Sequence, residues 1–177
     1  MKATINQVEV FSIGMPLVGT FTSGGTSKNL TKGVVLRITD EDGEVGISSI
    51  DPPTRALSPN TASELAVTLQ NVVGPALIGE DPSNANRVFE LSLKLAPSQP
   101  GCAAGVEIAC IELACRRAGI ALHEYVGGAV LDKVLLNGWV GELPADEAAA
   151  EAKRWWDAGF KSLKIKVGGG VAIDSDR

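Results

Sequence analysis

The residues best placed to do chemistry lie in Phe160-Lys161-Ser162-Leu163-Lys164-Ile165-Lys166-Val167-Gly168, a short apolar segment that carries two lysines two residues apart and stops at glycines. Strand side chains alternate between faces, so Leu163, Ile165 and Val167 point one way while Ser162, Lys164 and Lys166 point the other. Two ammonium groups on one face disfavour each other's charge, and burial lowers both pKa values further. Such a pair can supply an unprotonated lysine near neutral pH. The competing reading is an amphipathic strand with a solvated lysine face, and on spacing alone that is the commoner outcome.

Other reactive side chains carry weaker signals. Cys102, Cys110 and Cys115 sit in or beside one apolar helical stretch without metal-ligand spacing, which fits small buried hydrophobes better than redox or metal chemistry. The single histidine, His123, has no second histidine or carboxylate cluster near it, and a surface or capping role outweighs catalysis. Glu107 and Glu112 are five residues apart in that helix and so lie on different parts of it. They read as capping or cross-domain hydrogen-bonding groups.

The elements around these residues change character along the chain. Residues 3–13 read as a strand. The polar, glycine-rich stretch from Gly19 to Asn29 reads as a mobile loop with Phe21 its only large apolar side chain, the kind of loop that covers binding sites. Residues 33–39 and 44–50 flank the turn Asp40-Glu41-Asp42-Gly43 as a hairpin, giving a small antiparallel sheet. After Asp51-Pro52-Pro53 helices follow. Thr61-Ala62-Ser63-Glu64 fits a capping box whose helix runs toward Gly74-Pro75, and Asp81-Pro82-Ser83 opens another through Phe89 and Leu93. Pro97 to Pro100 break that helix, and Ala103 to Ala118, closed by Gly119, forms the longest. Then comes a strand at 134–140, a helix opened by Pro144-Ala145-Asp146-Glu147 and closed by Gly159, and the lysine strand. A crossover of this length makes a βαβ unit with parallel strands.

Composition narrows the classes. With 177 residues, 45% hydrophobic and 21% charged, the chain is globular and large enough for one well-buried domain, or for one domain and part of another. A net charge of −5 with scattered basic residues offers no stripe for a phosphate backbone, so nucleic acid is excluded as a partner. No window reaches the roughly 18 consecutive apolar residues of a membrane span, and the first residues lack an apolar signal core. The expected partner is neither membrane nor nucleic acid, and the expected location is the cytoplasm.

An antiparallel hairpin domain, then helices, then a βαβ start ending in Lys-x-Lys resembles the enolase superfamily, in its mandelate racemase and muconate lactonizing branch. Gly105-Val106-Glu107-Ile108-Ala109-Cys110-Ile111-Glu112-Leu113 is similar to that family's Ala-Ile-Asp-x-Ala-x-Trp-Asp-Leu helix, with Glu in both acidic places and Ile111 for tryptophan. Gly119-Ile120-Ala121-Leu122-His123-Glu124-Tyr125-Val126-Gly127-Gly128 is similar to Gly-x-Pro-Leu-x-x-Leu-Leu-Gly-Gly, with Ala121 for proline. Gly159-Phe160 and Leu163-Lys164-Ile165-Lys166-Val167-Gly168 match the second barrel strand.

The resemblance implies an α+β N-terminal capping domain over residues 1–125, followed over 126–177 by the first βαβ unit of a truncated (β/α) barrel. It implies a racemase, epimerase, cycloisomerase or dehydratase that abstracts a proton α to a carboxylate on a small molecule. Mg²⁺ stabilises the enediolate in such enzymes, because so weak a carbon acid needs its developing charge neutralised. Lys166 would transfer the proton, and Lys164 would lower its pKa and help hold the substrate carboxylate. Phe21, Thr22 and Ser23 would fall in the cap loop over the substrate, and Ile50 and Asp51 in the second specificity loop. There the usual Gly-x-Gly-Glu is replaced by Gly46-Ile47-Ser48-Ser49.

The family's metal carboxylates stand on later barrel strands, and a full barrel needs on the order of 200 to 250 residues. Asp174 and Asp176 cannot replace a three-carboxylate set, so no metal is assigned to this chain. The expectation is therefore a fragment, inactive alone and completed by a C-terminal partner chain or a homo-oligomer. The alternative is a non-catalytic oligomerisation module, motivated by apolar surface at Leu135, Trp139, Trp155 and Trp156 that nothing in the chain matches. A weaker third reading is a ligand-binding domain using the Gly24-Gly25 loop, which has no phosphate-binding spacing.

Overall fold

A computed structural model describes residues 3–23, 26–52 and 61–177. The chain divides into two compact units: residues 1–15 with 32–129, and residues 16–31 with 130–177.

Three strands, β1 (Ile5–Ser23), β2 (Thr26–Asp40) and β3 (Val45–Ile50), form a sheet in the order β1-β2-β3. β2 and β3 pair antiparallel from Val34 opposite Ile50 to Thr39 opposite Val45, which is the hairpin expected from the sequence. In the first unit, period-2 alternation on β2 buries Val34, Leu36 and Ile38 and leaves Arg37 outside, where it pairs with Glu9 at 2.6 Å. The expected loop from Gly19 to Asn29 is mostly strand. Thr20, Phe21 and Thr22 are β-branched or aromatic, and pairing between neighbouring strands satisfies the backbone groups that a loop would leave to solvent. Gly24 and Gly25 lie outside the described residues.

The first unit's helices cover the other side of the core. The capping box opens α1 (Ala62–Thr68): Glu64 N–H donates to the Thr61 hydroxyl, and Thr61 N–H donates to the Glu64 carboxylate. The helical run does not end at Gly74-Pro75. It widens into a π-helical turn at Leu69–Val73 and continues as α2 (Gly74–Leu77). The wider turn sits where Pro75 can donate no N–H. α3 (Ala85–Leu95) begins later than expected, because the Asp81 carboxylate bonds the Ser83 N–H in a local turn and Asn84 supplies the cap. α4 (Pro100–Ala118) is the long central helix, stopped by Gly119 at φ 68°. It buries Cys102, Val106, Ala109, Cys110 and Leu113 at helical spacing. A Cβ at Gly46 would overlap the Ala109 carbonyl oxygen, so glycine there lets β3 lie directly on α4. A short α5 (Leu122–Tyr125) follows.

In the second unit, β4 (Gly138–Val140), α6 (Ala145–Asp157) and β5 (Leu163–Ile165) make the expected βαβ unit with parallel strands, and α7 (Val171–Asp176) comes last. β4 is shorter than the strand expected over 134–140. Val134, Leu135 and Leu136 are largely exposed, and only three residues of β4 pair with β5. Among the described residues, no helix is long and apolar enough to cross a membrane.

Candidate functional site

β5 owes its place to α6. A Cβ at Gly138 would come within 2.6 Å of both Leu163 Cδ2 and Trp155 Cβ, so the Gly138 and Leu163 face of the two strands is the one packed on the helix. Trp155 docks edge-on to Phe160, and its indole N–H donates to the Trp139 carbonyl at 2.7 Å. The parallel register sets Gly138 beside Leu163, Trp139 beside Lys164 and Val140 beside Ile165. The ladder continues one bond further, from Lys166 N–H to the Val140 carbonyl at 3.0 Å. By alternation, Lys164 and Lys166 therefore share the face turned away from α6. Lys164 is exposed and Lys166 half-buried.

Arg177 fastens the strand ends on this side. Its guanidinium, only 4% exposed, donates to the Leu143 carbonyl at 2.6 Å, to the Lys166 carbonyl at 3.1 Å and to Asp174 at 2.7 Å. Asp174 also accepts the N–H groups of Gly168 and Gly169. Burial pushes its pKa upward, but these two N–H groups and Arg177 together hold the carboxyl below the usual range.

Of the cap residues, Phe21 joins the lysine strand's unit. Its ring stacks on Trp139 with centroids 4.7 Å apart and planes 11° apart, and Lys28 Nζ lies over the Phe21 ring, 5.4 Å from its centroid. Thr22 and Ser23 continue β1 beyond it. Ile50 and Asp51 belong to the first unit. Asp51 is exposed, whereas Ile50 packs on the core with its side chain against Gly105, where a Cβ would meet it at 2.6 Å. Trp139 and Trp155 are thus not the bare apolar surface expected of them, since each is packed within the second unit. Leu135 and Trp156 do remain exposed, at 86% and 56%.

The remaining candidates are structural. Glu112 accepts the Ile47 N–H and pairs with Arg116 at 2.8 Å, tying β3 to α4. The three cysteines are buried and free, and burial pushes the Cys102 and Cys110 thiols up to about 11 and about 12, far from a reactive thiolate. His123 is exposed. Among the described residues no three His, Cys, Asp or Glu side chains gather as a metal site, so the residues present do not fit Mg²⁺.

Residues 5–127 match the family described as the mandelate racemase / muconate lactonizing enzyme N-terminal domain. The chain belongs to this family. A hydrophobic dipeptide epimerase from Enterococcus faecalis is 30% identical over 98% of this chain and 48% of its own length. A cis-3-hydroxy-L-proline dehydratase from Roseibium aggregatum is 29% identical over 98% of this chain and 47% of its own length. Among solved structures, a dipeptide epimerase from Enterococcus faecalis complexed with Mg and the dipeptide L-Leu-L-Tyr aligns with a TM-score of 0.91 at 28% identity, over 98% of this chain and 48% of that one. The chain spans about half the length of the curated relatives it matches. Those mandelate racemase and muconate lactonizing relatives include epimerases, a racemase and a dehydratase. The antiparallel sheet with its helices is the family's capping domain, and the parallel β4-β5 pair follows it.

That Lys164 and Lys166 share a face was legible from alternation alone, but the place of Trp139 on that face was not. Its signal was available: a strand residue that shares a face with the lysines once β4 and β5 are taken as parallel neighbours.

Proposed function

We propose that this chain supplies the lysine half of an enzyme that abstracts the proton α to a carboxylate, as a racemase, epimerase, cycloisomerase or dehydratase. The observation that carries the reading is the pair Lys164 and Lys166 on the one face of β5 turned away from α6. Unprotonated Lys166 Nζ takes the proton: the C–H bond breaks, its electron pair passes into the substrate as an enediolate, and the ammonium forms on Lys166. Lys164, on the same face, attracts the substrate carboxylate. Mg²⁺ belongs to the family's chemistry, but the described residues offer no ligand set for it, so the chain's part is proton transfer and substrate holding. The substrate is a small carboxylate met in the cytoplasm.

The test is exchange of α-protons with solvent deuterium, followed by NMR on a panel of N-acyl amino acids and dipeptides with Mg²⁺ present, for the 177-residue chain and for the full product of its gene. Exchange is expected with the full product and to fall by about 10² to 10⁴ in Lys166→Ala. Unchanged exchange in that variant would remove Lys166 from the mechanism. The exposed side chains of Leu135 and Trp156 support a second reading, an assembly module whose second unit is covered by another copy or a complementing chain. Light scattering that returns a monomer with no binding of an apolar dye counts against it.

A further inference from the structure

We propose that Trp139 is a specificity-determining residue, an apolar wall beside the lysine pair that selects carboxylates bearing a hydrocarbon group on the reacting carbon. The proposal rests on the proton-abstraction reading above. Trp139 is the register partner of Lys164 across β4 and β5, so its side chain leaves the sheet on the lysine face. The indole does not stand upright there. Its far edge lies over Gly141, where a Cβ would meet Cη2 at 3.4 Å and Cζ3 at 3.5 Å, so the ring leans along β4 toward the end where Lys166 bonds the Val140 carbonyl. That is the C-terminal end of the strands, the end at which barrel enzymes gather their chemistry.

The ring's position is held from outside the βαβ unit. Phe21 stacks on the indole at 4.7 Å and 11°, and Lys28 lies over Phe21 at 5.4 Å. Gly141 contributes no side chain to the same face, so the indole occupies space at that end of β4 that a side chain at 141 would contest. A substrate held by Lys164 with its α-carbon at Lys166 Nζ would bring its substituent against this ring. The indole offers hydrocarbon surface and a single donor. A charged or strongly hydrogen-bonding substituent would lose water there without a partner, whereas a hydrocarbon one would lose nothing.

The test compares N-acetyl-norleucine with N-acetyl-lysine, which have side chains of similar length and differ in charge, as substrates for α-proton exchange by the full product of the gene. The native protein is expected to favour the norleucine compound in kcat/KM, and Trp139→Ala to reduce that preference about tenfold, while Trp139→Phe keeps most of it. Equal loss for both compounds in Trp139→Ala would overturn the proposal, because a merely structural tryptophan would slow both alike. A second measurement does not depend on turnover. The indole N–H resonance of Trp139, assigned by its absence in Trp139→Phe, is expected to shift on adding N-acetyl-norleucine, in the native protein and in Lys166→Ala. If exchange proceeds but this resonance does not respond, the wall is wrong and the proton-abstraction reading stands. If the resonance responds but nothing exchanges, the proton-abstraction reading fails and the apolar site survives. If neither occurs, both fail.

Discussion

Asp40 is the residue whose chemistry the first unit depends on most. Its carboxylate is buried at the end of β2, accepts the N–H groups of Asp42 at 3.0 Å and Glu44 at 2.9 Å, and pairs with Arg117 from the last turn of α4. Burial raises its pKa, but the Arg117 guanidinium and the two N–H groups outweigh it, and the net shift is downward. A carboxyl whose folded pKa lies below its unfolded value contributes stability that is complete above about pH 4 and is lost as the pH falls through the folded value. Asp40→Ala removes the buried acceptor of two N–H groups while Arg117 keeps Asp42 at 2.9 Å, so the variant is expected to cost about 1–3 kcal/mol in urea denaturation at neutral pH. The deficit should shrink below about pH 4, where the native carboxyl also protonates. A difference that stays constant with pH would mean that the cost is packing alone.

At the scale of elements, two close approaches decide how sheets meet helices. β3 lies on α4 through Gly46, with backbone as the neighbour, and β4 lies on α6 through Gly138, with the side chains of Leu163 and Trp155 as neighbours. The Ala109 carbonyl oxygen, 2.0 Å from a Cβ at Gly46, is backbone and closer than the Leu163 methyl and Trp155 Cβ, each 2.6 Å from a Cβ at Gly138, so Gly46→Ala is expected to destabilise more than Gly138→Ala. Overpacking of this kind costs about 1–3 kcal/mol, with Gly46→Ala at or above the upper end, and urea midpoints of the two variants check the order. Gly138→Ala has a further reading: by pushing β5 from α6 it should disturb the lysine strand. If the Gly138 variant proves as stable as the native chain, α6 does not hold β5 in the way described.

The whole molecule is unevenly built. Among the described residues, the buried hydrophobic side chains of the second unit are Val140 and Ala148, whereas the first unit carries a core of Ile5, Leu36, Ile38, Leu69, Leu77 and Leu113 with their neighbours. Local stability follows buried apolar contact, so amides of β4 and β5 in the isolated 177-residue chain should exchange with deuterium far faster than those of the β2-β3 pair and α4. Equal protection in both units would contradict this. A ligand or complementing chain that covers the second unit is expected to slow its exchange without affecting the first.

Local order decided much of this protein. Alternation in β2, the capping box at Thr61 and Glu64, the stop at Gly119, the turn at Asp40 to Gly43 and the glycine-bounded lysine strand each express a periodicity or a backbone preference carried by a few adjacent residues. The sequence also set Lys164 and Lys166 on one face, since alternation needs no partner. What only the tertiary structure decided depends on residues far apart in the chain. The stretch from Gly19 to Asn29 is mostly strand because β1 and β2 pair along it, the helix at Leu69 passes Pro75 through a wider turn, and Ile50 is engaged by Gly105. Trp139 became part of the lysine face through its register with β5 and the stack from Phe21, two contacts between segments that no local pattern links.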